Sequence, residues 1–146
     1  MNKIKSLDMV EKYPVETIYN FMVSVFIELG VPKNDAKVCA DVLIESDLRG
    51  ITSHGIGRLK IYYDRIRDGI QKPITKIDIV RDKSAIAVLD GNHGMGHVIG
   101  SKAMQMAINK AKEYGIGNVV VKNSTHFGIA GYYSTIAAKK DMIGMA

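Results

Sequence analysis

From Val15 to Leu29 the apolar residues Ile18, Phe21, Met22, Val25 and Leu29 fall three and four apart, which predicts an amphipathic helix stopped by Gly30. Pro32 to Leu48 predicts a second helix, starting near Asn34 or Asp35 and ended by Gly50, with Ala36, Val38, Ala40, Val42 and Leu43 buried and Cys39 packed among them. A third is expected from about Gly55 to Arg67, where Ile56, Leu59, Tyr63, Ile66 and Ile70 keep helical spacing and Gly69 follows. Three helices thus open the chain.

After Pro73 the period changes. Ile77 and Ile79 alternate with polar neighbours, and Ser84 to Leu89 is short and apolar, so two strands are expected in a hairpin around Asp82-Lys83. The glycine-rich turn Asp90 to Gly96 leads into a long helix with a small-residue face at Ala103, Met106, Ala107, Lys110 and Ala111, ending at Gly115. Asn118 to Lys122 reads as a strand buried on both faces beside parallel neighbours. Beyond His126 a last helix should run through Tyr132 to Lys140, and Met142 to Ala146 looks like the start of another strand. Alternating strands and helices place the chain in the α/β class, with residues 1–72 a helical segment and 73–146 the α/β part.

Composition narrows the function classes. The chain has 146 residues, 47% apolar and 24% charged, which suits one globular domain with a real core. No apolar run approaches the roughly 20 residues of a membrane span, and the start, with Lys3, Lys5, Asp8 and Glu11, has no hydrophobic signal core, so a cytoplasmic protein is expected. Cys39 is the only cysteine: an internal disulfide is impossible, no zinc-ligand set is visible, and redox chemistry needs a cofactor. Asn123-Ser124-Thr125 matches a glycosylation acceptor but is read as accidental without a secretory signal. The net charge of +5 favours anionic partners. No basic run, zinc finger or aromatic RNA-binding signature supports nucleic acid, whereas a nucleotide cofactor or a carboxylate substrate fits the same charge.

Two places carry candidate chemistry. His54, Arg58, Tyr62 and Arg65 stand at helical spacing on one face, and an imidazole one turn before a guanidinium offers a proton donor and a fork for a carboxylate, as a 2-oxo acid requires. The same spacing suits a Ser53 helix cap with His54 and Arg58 merely solvated. His126, in Ser124-Thr125-His126-Phe127-Gly128, directly follows a strand expected to be buried, where ligands bind in open α/β sheets. A loop histidine among hydroxyl caps is the alternative there. Gly94, Gly96 and Gly100 miss the dinucleotide fingerprint by one position and no P-loop is present, so the turn is expected to be structural, with His93 and His97 ordinary turn and helix residues.

Asp47-Leu48-Arg49-Gly50-Ile51-Thr52-Ser53-His54-Gly55-Ile56-Gly57-Arg58-Leu59, followed by Tyr62, Arg65, Gly69 and Ile70, resembles the N-terminal signature of the type 2 malate/L-lactate dehydrogenases. The Asp90 to Gly96 turn and the Ser124 to Tyr133 segment are similar to two further motifs of that family, in the same order. The resemblance implies an α/β dinucleotide-binding architecture unlike the usual Rossmann fold, of which 73–146 would be the start. It implies an NAD or NADP cofactor held mostly by residues beyond Ala146, a small 2-oxo or 2-hydroxy acid as substrate, and a homodimer or larger assembly. It also implies His54 and His126 as acid/base candidates, Arg58 as the carboxylate clamp, and Ser53 and Tyr62 as hydrogen-bonders in the pocket. Because family members run to more than twice this length, the alternative is a catalytically incomplete member that folds or oligomerises without turnover.

Overall fold

A computed structural model describes residues 12–146; the charged start at Lys3, Lys5, Asp8 and Glu11 lies outside the described residues. Three helices open the described chain: α1 (Val15–Glu28), α2 (Lys33–Leu48) and α3 (Leu59–Arg67). A β-hairpin follows, β1 (Asp78–Lys83) and β2 (Ile86–Asp90), and then α4 (Gly96–Tyr114), β3 (Asn118–Lys122) and α5 (Ala130–Ala138). β1 pairs antiparallel with β2, and β2 pairs parallel with β3 from Ile86↔Asn118 to Asp90↔Lys122, with α4 as the crossover. The three-stranded order β1-β2-β3 is the α/β layer that the alternation of patterns implied.

The core joins the helical opening to this layer. Met22, Phe26, Ala36, Cys39, Ala40, Leu43, Leu59 and Tyr62 pack in one cluster with Met95 and Val98, which start the α/β crossover helix. Small residues on α2 allow α1 and α4 to approach it closely. Cys39 is buried as expected, and burial followed by the charges of Asp35 and Asp41 pushes its thiol well above the ordinary range, so it behaves as a small apolar residue. Lys110, almost buried on α4, pairs with Asp82 and donates at 2.8 Å to the Ser84 carbonyl, tying the hairpin to the helix.

Several expectations need correction. The third helix does not begin at Gly55: two short 3-10 turns, Thr52–His54 and Ile56–Arg58, precede α3. Gly55 separates them because the Asp47 carboxylate reaches over it to accept the Ile56 N–H at 2.8 Å. The buried face of α3 is accordingly Leu59 and Tyr62, while Tyr63 and Ile70 are exposed. On α1 Phe26 is buried and Phe21 is exposed, the reverse of what the choice of Phe21 implied. The hairpin turns at Ser84-Ala85, where Ser84 takes a φ of 49°, and not at Asp82-Lys83. β3 is not buried on both faces: it alternates exposed and half-buried residues, with Val120 52% exposed. Met142 to Ala146 form no strand.

Candidate active site

The loop after β3 carries His126 to the 3-10 turn that carries His54. Their rings stack with centroids 5.4 Å apart and planes 27° from parallel. Residues 72 positions apart in the sequence thus become one pair of imidazoles, each half-buried. Ser53 Oγ lies 2.9 Å from His54 Nδ1, and Arg58 Nε donates to the Ser53 carbonyl at 2.7 Å, which curls the turn and leaves the rest of the guanidinium fork without a hydrogen-bond partner among the described residues. Tyr62 comes from α3 below. Its hydroxyl is 2.7 Å from His126 Nδ1, and its ring is 1% exposed.

The five residues singled out from the sequence therefore meet, although not by the geometry that suggested them. His54 is not on the helix of Tyr62; the break at Gly55 turns it toward His126. Tyr62 points into the core as part of the apolar face and reaches His126 through its hydroxyl.

His97, expected to be an ordinary helix residue, is 0% exposed on α4 with its ring against Tyr62, centroids 4.7 Å apart and edge-on. Its Nε2 lies 3.1 Å from the same Tyr62 hydroxyl, while Nδ1 has no partner. A chain His97–Tyr62–His126–His54 thus runs from the core to the surface. No spacing rule links positions 62, 97 and 126; the signal available was a polar residue in the otherwise apolar stretch Val98-Ile99 at the start of α4.

Electrostatics follow from this depth. Burial pushes the His97 imidazole down from 6.5 to about 3, helped by His126. His126 is also lowered, first by burial and then by the charges of His54, Arg58 and Arg65. The unfolded chain takes a proton at His97 near pH 6.5 and the folded chain does not until about pH 3, so stability present at neutral pH is lost as pH falls between those values. The loss from pH 7 to pH 5 should be about 2 kcal/mol. Urea unfolding at the two pH values checks this, and H97Q, which has nothing to titrate there, should remove most of the difference.

The loop bearing His126 is clipped to the start of α4. Thr125 Oγ1 accepts the Gly96 N–H at 3.0 Å and donates to the Gly94 carbonyl at 2.8 Å. A Cβ on Gly94 would lie 3.1 Å from the Thr75 backbone, and one on Gly96 would overlap the carbonyls of Thr125 and His126. These glycines serve chain-to-chain packing and do not fit a phosphate cradle. Among the described residues no group of three potential metal ligands gathers, and no helix is long and apolar enough to cross a membrane. An apolar groove of about 450 Å³ between α1 and α3, lined by residues that include Phe21, Val25, Leu29 and Tyr63, takes in none of the histidines. The His54–His126 pair, with Arg58 beside it, is the candidate site.

Fold and site together define an α/β protein with paired imidazoles and a guanidinium set at the end of a parallel strand. A family model described as malate/L-lactate dehydrogenase matches residues 13–146, and the chain belongs to that family. The malate dehydrogenase of Pyrococcus horikoshii is 46% identical over 135 residues, 92% of this chain and 38% of that protein. The L-sulfolactate dehydrogenase of Methanocaldococcus jannaschii is 49% identical over 124 residues, 85% of this chain and 36% of that protein. The solved structure of the Pyrococcus horikoshii malate dehydrogenase superposes with a TM-score of 0.88 over 89% of this chain and 37% of its own. The chain therefore spans under two fifths of the length of these relatives.

Proposed function

We propose that this chain forms the acid-binding part of an NAD(P)-dependent oxidoreductase that interconverts a small 2-oxo acid and its 2-hydroxy acid, of the malate, lactate or sulfolactate kind. The observation that carries this reading is the His54–His126 stack beside Arg58, whose fork keeps free N–H groups for a carboxylate. Arg58 clamps the carboxylate, the histidines face the oxygen on carbon 2, Ser53 steadies His54, and Tyr62 holds His126. The nicotinamide, when bound, supplies or takes the hydride. The close packing of Gly94 and Gly96 leaves no phosphate cradle in that turn, so the remaining length of the relatives is where the dinucleotide's binding groups are expected. Residues 1–72 are read as a helical segment and 73–146 as the start of the cofactor domain. A cytoplasmic homodimer or larger assembly working with NAD or NADP completes the reading.

A second reading is a family member that folds without turnover. Fluorescence titration with NADH and NADPH of the longest natural form carrying these residues, followed by assays with pyruvate, oxaloacetate and sulfopyruvate, separates the two. Oxidation of reduced cofactor that depends on the 2-oxo acid is the expected result for the first. Acid or cofactor binding without turnover supports the second, and binding of neither sinks both.

A further inference from the structure

The two histidines have different surroundings, and hydrogen-bond bookkeeping assigns their protons. His126 Nδ1 lies 2.7 Å from the Tyr62 hydroxyl and also faces the Gly128 N–H at 3.4 Å. A backbone N–H can only donate, so Nδ1 must offer a lone pair. The Tyr62 O–H then donates to Nδ1, and its single proton is spent there. His97 Nε2, 3.1 Å from the same hydroxyl, must be the donor to the tyrosine oxygen. That leaves His97 Nδ1 as a bare acceptor, which is the atom that has no partner in the core. The reverse arrangement would bury an orphaned N–H on His97 and set two N–H groups of His126 and Gly128 against each other. Orphaned buried donors are the rarer and costlier case.

We propose that His97, acting through the Tyr62 hydroxyl, is a positioning residue that holds His126 as a neutral imidazole with its N–H on Nε2, so that His126 meets the substrate as a hydrogen-bond donor and proton transfer falls to His54. The division of labour rests on the function proposed above; the tautomer does not. Protonating His126 would drive an Nδ1–H into the tyrosine oxygen and reverse the whole chain, with no partner in the core to accept the reversal. The groups that face His126 all oppose that charge or are neutral: His54 and Arg58 on the two 3-10 turns, Tyr62 and Arg65 on α3, and His97 on α4. His54 is different, since the Ser53 hydroxyl can donate to a bare Nδ1 or accept from an Nδ1–H and so serves either charge state. In the reducing direction, with the hydride coming to carbon 2 from a nicotinamide that would be held outside the described residues, the developing oxyanion would sit under the His126 N–H and take the proton of the His54 imidazolium, which would be left neutral. A preorganised donor aimed at the developing alkoxide is the arrangement that stabilises it.

Long-range proton–nitrogen NMR of the 15N-labelled chain reads each ring nitrogen directly. At pH 7.5 His126 is expected to show an unprotonated Nδ1 and a protonated Nε2. H97L, which removes the donor to Tyr62, should give a mixture of tautomers and raise the His126 titration midpoint by roughly half a unit to one unit, the size of one ordinary hydrogen bond. H97Q, whose amide N–H reaches the same hydroxyl, should restore both. The opposite tautomer or an even mixture in the parent chain overturns the proposal, as does an H97L spectrum unchanged from the parent. Should H97L fail to fold, the parent and H97Q spectra decide alone, and a mixed tautomer in folded H97Q counts against it. If the tautomer is as expected but no 2-oxo acid is turned over, the functional reading fails and the network stands.

Discussion

Replacing His54 with glutamine is expected to lower kcat about 10²- to 10⁴-fold for a 2-oxo acid, because a glutamine cannot give up a proton and general acid catalysis contributes on that order. The same change at His126 is expected to be milder. Gln keeps an N–H to offer the carbonyl oxygen, so H126Q should retain more activity than H126A, which loses the donor and about 10²- to 10³-fold in rate. The asymmetry follows from geometry. His126 is fixed at Nδ1 by Tyr62 and Gly128, whereas His54 is fixed at Nδ1 only by a hydroxyl that adapts to either charge. Steady-state kinetics of the four variants H54Q, H54A, H126Q and H126A, in the longest natural form carrying these residues, test it. Equal loss in H54Q and H126Q would remove the distinction, and unchanged turnover in both alanine variants would remove the histidines from the reaction.

Much of the fold could be read from periodicity because α1, α2 and α4 are long and their apolar positions repeat. α2 shows why: Ala36, Ala40, Val42 and Leu43 sit where a 3.6-residue period puts them, and all four are 0% exposed. The parallel pairing of β2 with β3 was likewise implied by a strand-helix-strand order. What failed was local and had tertiary causes. The segment from Ser53 to Arg58 has the spacing of a helix, but the Asp47 side chain, from another helix, takes the Ile56 N–H and breaks it at Gly55. β3 has the Val-Val-Val composition of a central strand yet leaves Val120 exposed.

The site was legible as residue types and not as geometry. The spacing puts His54, Arg58 and Tyr62 on one helical face, but the break at Gly55 takes His54 off it, and a turn and a long-range stack bring His54 to His126 instead. His97 was missed because its meaning lies in a hydroxyl from α3 and an imidazole from the loop after β3, both far away in sequence. A polar group inside an apolar run is the one trace such a network leaves in a sequence, and it has to be read as a question about partners.

Gly96→Ala is expected to unfold or displace the site as a unit, with a loss of about 1–3 kcal/mol in stability and most of the activity. Gly96 opens α4 directly against the loop that carries His126, where an added Cβ would overlap the carbonyls of both Thr125 and His126. Those are backbone atoms, so no flexible side chain can swing aside to make room. Helix and loop must part, and the Thr125 clip to the Gly96 N–H and the Gly94 carbonyl opens with them. His126 then drifts from Tyr62, because Thr125 and His126 are adjacent and share the displacement. Gly50→Ala is the control. Its φ of 74° makes a side chain strained, but nothing lies within 4 Å of the new Cβ, so it should cost stability without touching the histidines. Chemical denaturation of both variants, with the His126 ring-nitrogen signals recorded below the unfolding transition, separates the two effects. If G96A kept the His126 tautomer and the parent stability, the close approach of α4 to this loop would not be what holds the site together.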